Sequence, residues 1–438
     1  MRLWLPSALA AGMLLAGFGQ VGSITTSPTR ITNSYPEQMA FEVDVSSSVP
    51  ISRVELHVSV RGETSTTVIV ATFASGAQTT ARAEWKTRRD GVPPGAPYTF
   101  AWRIWDDAGN TLTTDAQQGL VLDPRRTWSE RKDERVGVWW YEGEAAFGER
   151  IFQLATTSLR TMERESGLEI PLRLHVVLYP DAEAFAEWHD YVLDWVGGEA
   201  YTTIGLTVQI ISPSDSEEWI QSVICHEVAH LFFFPATNNA LSLGPATWIS
   251  EGYAQVHECV SNEWLGQRVE EALLRGELIP LRLATGSFSG DDERVWLLYA
   301  ESWSAMTFLY ERWGDDGVAR LLEAFRDGAD DSDALRAATG LDFEEYQQAW
   351  WEWLGGAPGA YPTPPPPVTE ATTATPAPRA SPTPEMATAS AASATEDTSP
   401  VGTRGGWPCS GGAAALLVTV VLGLPASRAA RRRASNDR

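Results

Sequence analysis

Cysteine is nearly absent, with three residues in 438, too few for the disulfide framework of a small secreted scaffold. Histidine is as scarce, at six, so two imidazoles one helical turn apart are not a by-product of composition. Positive charge is also short. Thirty-three Lys and Arg face 57 Asp and Glu, a formal net charge of -24, which excludes nucleic acid as a partner because phosphates would be repelled. Long apolar runs are missing too: near the C-terminus only residues 413–424 are firmly apolar, against about 20 for a membrane span. What the chain does have is core-forming material. Hydrophobic residues make up 43%, including 19 tryptophans, and the length suffices for two cored domains plus tails.

The composition divides the chain. Arg2 followed by the apolar stretch 3–18, with small residues at 19–23, has the form of a secretory signal over 1–23. Residues 24–123 alternate apolar and polar over 39–45, 52–58 and 98–104, with turns at Pro93-Pro94-Gly95 and Asp107-Ala108-Gly109-Asn110. That pattern predicts an all-β immunoglobulin- or fibronectin-like sandwich whose role is spacing or substrate docking. Residues 357–406 are dominated by Pro, Thr, Ala and Ser and read as a disordered, extended stalk. Residues 407–427 follow, with Trp407 before the apolar stretch and Arg428, Arg431, Arg432 and Arg433 after it. They predict a single transmembrane segment or a sorting signal, with 428–438 as a basic cytoplasmic tail. Both ends place the middle of the chain outside the cytoplasm.

The chemistry lies in His226-Glu227-Val228-Ala229-His230 and, further on, Trp248-Ile249-Ser250-Glu251-Gly252. Two histidines four apart on a helix project from one face and can chelate one ion. Catalytic zinc takes three protein ligands and keeps one position open for water. Glu251, on a second expected helix beyond Gly244 and Pro245, supplies the third ligand, and Glu227 is placed to act as general base on the zinc-bound water. The motif helix opens at Ser214 and Glu217, which read as a capping box, and ends at Pro235. Two histidines and a glutamate in so apolar a helix need a partner for their charge, and a metal is the natural one. Cys225 and Cys259 flank the two halves of the motif and read as buried free thiols.

With Ala246–Ala254 and the later run from Tyr299 through Glu311 to Gly314, these motifs resemble the gluzincin-type zinc metallopeptidases of the peptidase MA clan, in particular the bacterial peptidase MA-like domain family. The likeness covers residues 130–356. It implies an α+β zincin-like metallopeptidase domain over 124–356, with Zn2+ held by His226, His230 and Glu251, Glu227 as catalytic base, and a peptide or protein substrate. Better-known members carry an acidic residue four positions after the glutamate ligand to orient a histidine; here that position is Gln255. Tyr299 is the candidate oxyanion stabiliser, although a tyrosine among aromatics also fits a core role, and His257 reads as a packing or surface residue.

The residue pattern gives strands at 136–141, 172–179 and 207–211 with helices at 145–165 and 182–195 between them, the small mixed sheet that the resemblance places above the motif helix. Residues 206–211 are expected as its edge strand, able to pair with an extended peptide. Below lies a mainly helical half at 263–275, 299–313, 318–326 and 343–354, with 286–293 as a rim loop. The function so read is an extracytoplasmic peptidase, anchored to the membrane by its C-terminal segment. A non-catalytic surface binding protein that retains the zincin fold is the alternative, and a purely structural surface protein without metal is a third.

Overall fold

The computed structural model describes residues 24–358, apart from 62–64, 189–196, 242–243 and 285–291, together with a strand at Leu417–Thr419. The expected signal peptide at 1–23, the expected tail at 428–438 and nearly all of the expected stalk and C-terminal segment lie outside the described residues, as does most of the expected rim loop.

Nine strands come first: β1 (Thr25–Thr26), β2 (Arg30–Ser34), β3 (Gln38–Ser46), β4 (Ile51–Val60), β5 (Thr67–Val70), β6 (Gln78–Trp85), β7 (Pro97–Asp106), β8 (Thr111–Thr113) and β9 (Gln117–Leu120). They form two antiparallel sheets. One joins β1, β2 and β6 to β3; the other runs β5-β4-β7-β8, with β9 also paired to β7. Period-two alternation decides which side chains meet. Val54, Leu56 and Val58 of β4 oppose Ile104, Trp102 and Phe100 of β7 in register, all of them buried. Phe41 from the first sheet meets Phe100 of the second at 5.0 Å between ring centroids, closing a core between the two sheets.

The second half begins with β10 (Ser129–Lys132), β11 (Val136–Trp140), α1 (Ala145–Ser166), β12 (Leu174–Tyr179), α2 (Ala182–Ala186), β13 (Gly198–Tyr201) and β14 (Leu206–Ile210). Six helices follow: α3 (Glu217–Thr237), α4 (Thr247–Val256), α5 (Glu263–Arg275), α6 (Asp292–Arg326), α7 (Asp331–Thr339) and α8 (Phe343–Trp353). Gly314 leaves helical geometry (φ 63°) and breaks α6 in two, at the boundary expected between 299–313 and 318–326. The helix expected over 182–195 is described only at Ala182–Ala186.

The sheet of this half runs β10-β11-β12-β14-β13-β15, where β15 is Leu417–Thr419. β11, β12 and β14 are parallel; β13 runs antiparallel to β14 and β15 antiparallel to β13. The strand at 206–211 is therefore not an edge. β14 lies between β12 and β13, and β13, too short for its alternation to be read from sequence, separates it from β15.

Both faces of this sheet are covered. Val138, Trp140, Val176, Leu178 and Ala200 belong to the core shared with the helices, whereas Trp139, Val177, Tyr179, Leu206 and Val208 join the core of the N-terminal sheets. Gly95, in the left-handed region at φ 89°, lies at that junction, and a Cβ there would run into Val177 and Leu206. Among the described residues no helix is long and apolar enough to cross a membrane.

Candidate metal centre

Helix α3 is apolar on nearly every side, as a helix buried between layers must be. Its N-cap is Ser216, whose side chain accepts from the Trp219 backbone N–H at 3.2 Å, with Glu217 and Glu218 in the first turn. The cap thus sits two residues beyond the expected Ser214. Pro235 does not stop the helix, which continues to Thr237.

One turn apart on α3, His226 and His230 bring their Nε2 atoms within 3.1 Å of each other. Helix α4 delivers Glu251, whose Oε2 stands 3.6 Å from His226 Nε2 and 3.5 Å from His230 Nε2. Bonds of about 2.0–2.1 Å to a tetrahedral ion put neighbouring ligand atoms about 3.3–3.4 Å apart, and the three separations cluster around that edge. Glu251 Oε2 has no hydrogen-bond partner though buried, a cost that a cation at the centre removes. The residues present therefore fit zinc. They also form the one His/Cys/Asp/Glu group among the described residues placed to hold a metal.

Gly252 follows the ligand for a packing reason. A Cβ at this position would collide with the Ser302 carbonyl of α6, so glycine lets α4 lie directly against α6 and sets the height of Glu251.

Glu227 is fully buried. Its Oε2 accepts from Thr207 Oγ1 at 3.4 Å, while Oε1 has no partner. Gln209 Nε2 in turn donates to Thr207 Oγ1 at 2.5 Å, so β14 positions the carboxylate through a two-residue relay. Burial, opposed by His230 and His226, holds its pKa above the ordinary glutamate range. In the histidines' own balance, burial disfavours a charged His226, but Glu251 and Glu258 outweigh it and raise the ring to about 10. Glu251 goes the other way: burial would raise it, yet His230 and His226 bring it down to about 2.

Two features here escape sequence reasoning. Glu258, just past the end of α4, places Oε1 2.9 Å from His226 Nδ1, the task expected of position 255. Gln255 is buried, and its backbone carbonyl accepts from Asn262 Nδ2 at 2.8 Å. Cys225 and Cys259 form a disulfide with Cα atoms 5.8 Å apart, correcting the expectation of free thiols. The packing of α3 against α4 brings together two residues 34 apart in sequence.

Tyr299 is buried on α6, its ring 6.0 Å from Trp296 and one turn before Ser302. His257 does not join the ligands. Its Nδ1 lies 2.7 Å from the Tyr253 carbonyl and its Nε2 3.2 Å from Glu165 Oε2, as expected of a packing residue.

Residues 154–356 match the family model of the Peptidase MA superfamily. Over these residues the chain is similar to that superfamily, consistent with the expected gluzincin-like peptidase MA domain. The match spans His226, Glu227, His230 and Glu251. Among solved structures, the chain is similar to an M1 zinc metallopeptidase mutant from Deinococcus radiodurans bound to a Tyr-Ser-Ala substrate, at 16% identity and TM-score 0.34, covering 79% of this chain and 95% of that one. It is also similar to an aminopeptidase N family protein from Idiomarina loihiensis, at 11% identity and TM-score 0.31, covering 76% and 72%. No curated protein matches it significantly in sequence.

Another buried acid, outside the ligand triangle, gives a pH signature. Glu301 on α6 accepts from the Ile279 N–H at 2.8 Å through Oε1, whereas Oε2 is unpartnered, and burial pushes its pKa well above 4.5. The folded state keeps this proton while the unfolded chain releases it near 4.5, so stability is lost as pH rises from there toward the folded pKa. Glu301→Gln keeps the acceptor and removes the ionisation. Thermal unfolding is expected to show a Tm gain of about 2–4 °C at pH 7–8 that shrinks toward pH 4.

Proposed function

We propose that this chain is an extracytoplasmic zinc peptidase that hydrolyses peptide bonds with His226, His230 and Glu251 as metal ligands and Glu227 as general base. The observation that carries the reading is the spacing of three buried donor atoms at 3.1–3.6 Å with a partnerless oxygen on Glu251. When bound, zinc supplies Lewis acidity, polarising a carbonyl and making water acidic. Glu227, held by Thr207 and carrying one free oxygen, takes a proton from the attacking water and passes it to the leaving amine. Tyr299 is assigned to the developing oxyanion. A pure binding protein has no need of a buried carboxylate with a free oxygen one residue from the ligands, which weighs against that alternative.

The proposal extends to the rest of the chain. The two N-terminal sheets are read as an immunoglobulin- or fibronectin-like sandwich that braces the peptidase region. The secretory reading of 1–23 is supported by the Cys225–Cys259 disulfide, a bond that persists in oxidising compartments. Tethering by 407–427 rests on the apolar stretch and its arginines, and it requires Leu417–Thr419 to leave β13, because a membrane-embedded segment cannot pair with that strand.

Metal analysis and digestion of a peptide library by the full chain test the proposal. One zinc per chain is expected, with hydrolysis lost on chelation and restored by zinc. A protein that purifies without bound zinc and stays inactive on adding it overturns the reading.

A further inference from the structure

Glu258 is used at both ends of its carboxylate. Oε1 meets His226 Nδ1 at 2.9 Å, and Oε2 accepts from Ser222 Oγ at 2.7 Å, one helical turn before His226 on the same helix. A neutral imidazole, the form that binds a metal, keeps its lone pair on Nε2 when it donates from Nδ1, and Nε2 is the atom that faces His230 and Glu251. The carboxylate is almost fully buried, yet it stands beyond the last helical residue of α4, Val256, where its backbone N–H makes a single long bond of 3.4 Å to the Gln255 carbonyl. A covalent link adds to it: the neighbouring Cys259 is bonded to Cys225, itself adjacent to His226. Ligand and orienting acid are thus the inner members of a closed pair of neighbours, Cys225-His226 on α3 and Glu258-Cys259 after α4.

We propose that Glu258 is the positioning residue for the His226 ligand and that the Cys225–Cys259 disulfide keeps it in place. This rests on the zinc reading above, with the orienting acid moved from position 255 to a turn outside the helix. A carboxylate on a ligand histidine fixes its tautomer and ring angle, and losing it costs about 10–100-fold in metal affinity.

Zinc affinity of the full chain, measured by competition with a chromophoric chelator, tests the assignment separately from activity. Glu258→Ala is expected to weaken zinc binding about 10–100-fold, and Glu258→Gln, which keeps an acceptor oxygen, to recover part of that loss. Replacing both Cys225 and Cys259 by serine should weaken binding in the same direction. Adding Glu258→Ala to that double variant should then cost less than it does in the wild type, because both changes act on one contact. Wild-type affinity in folded Glu258→Ala, or in Glu258→Gln should the alanine variant not fold, overturns the role of Glu258. Full additivity, or wild-type affinity in the serine variant, overturns the role of the disulfide. A wild-type chain that binds no zinc overturns the zinc reading itself and this inference with it.

Discussion

Replacing Glu227 by glutamine is expected to slow peptide hydrolysis by about 10²–10⁴-fold, the usual contribution of a positioned general base, while the chain keeps its full zinc content. The side chains match in shape, and Glu227 lies outside the ligand triangle, bonded to Thr207 instead. The amide cannot take the proton that the carboxylate takes from water. A companion result concerns pH. On the proposed mechanism Glu227 works only when deprotonated, and burial raises its pKa, so the acid limb of kcat/KM should fall at a higher pH than for an ordinary glutamate. A variant that retains near wild-type turnover would remove Glu227 from the mechanism. A variant that loses zinc along with activity would show its role to be structural.

Glu251→Ala should have the opposite profile, with metal and stability lost together. The substitution removes the third donor and leaves His226 and His230 facing each other at 3.1 Å in a buried site. Breaking a buried charge pair costs roughly 3–5 kcal/mol. A ligand present at a thousand times its Kd stabilises the folded state by about 4 kcal/mol, and that gain vanishes as well. Thermal unfolding with and without chelator separates the two contributions. The wild type should lose Tm on chelation, whereas the variant should start lower and be indifferent to chelator. A variant that still shows a chelator-sensitive Tm and one zinc per chain would exclude Glu251 as a ligand.

Much of this architecture was legible beforehand, and the reason is periodicity. The i, i+4 spacing of His226 and His230 needs only a helix to put both rings on one face. Strict alternation in 98–104 needs only a strand to turn Tyr98, Phe100, Trp102 and Ile104 inward. Glu251 was legible through its own short motif. What stayed hidden has no period. Glu258 lies in a turn, where sequence does not say which neighbour a side chain will meet. Cys225 and Cys259 pair because two helices pack at one particular distance, a tertiary fact that a 34-residue separation does not encode. Thr207 reaches Glu227 only because β14 is an interior strand above α3, and its neighbour β13 has four residues beginning with Gly198, too few to show alternation.

The shared packing between the N-terminal sheets and Trp139, Val177, Tyr179, Leu206 and Val208 bears on how this protein can be taken apart. A fragment starting near residue 124 would present those five side chains to water, an apolar strip inviting aggregation. The halves are thus distinct in chemistry but not self-sufficient, and the N-terminal half serves the centre as a permanent lid on the far side of its sheet.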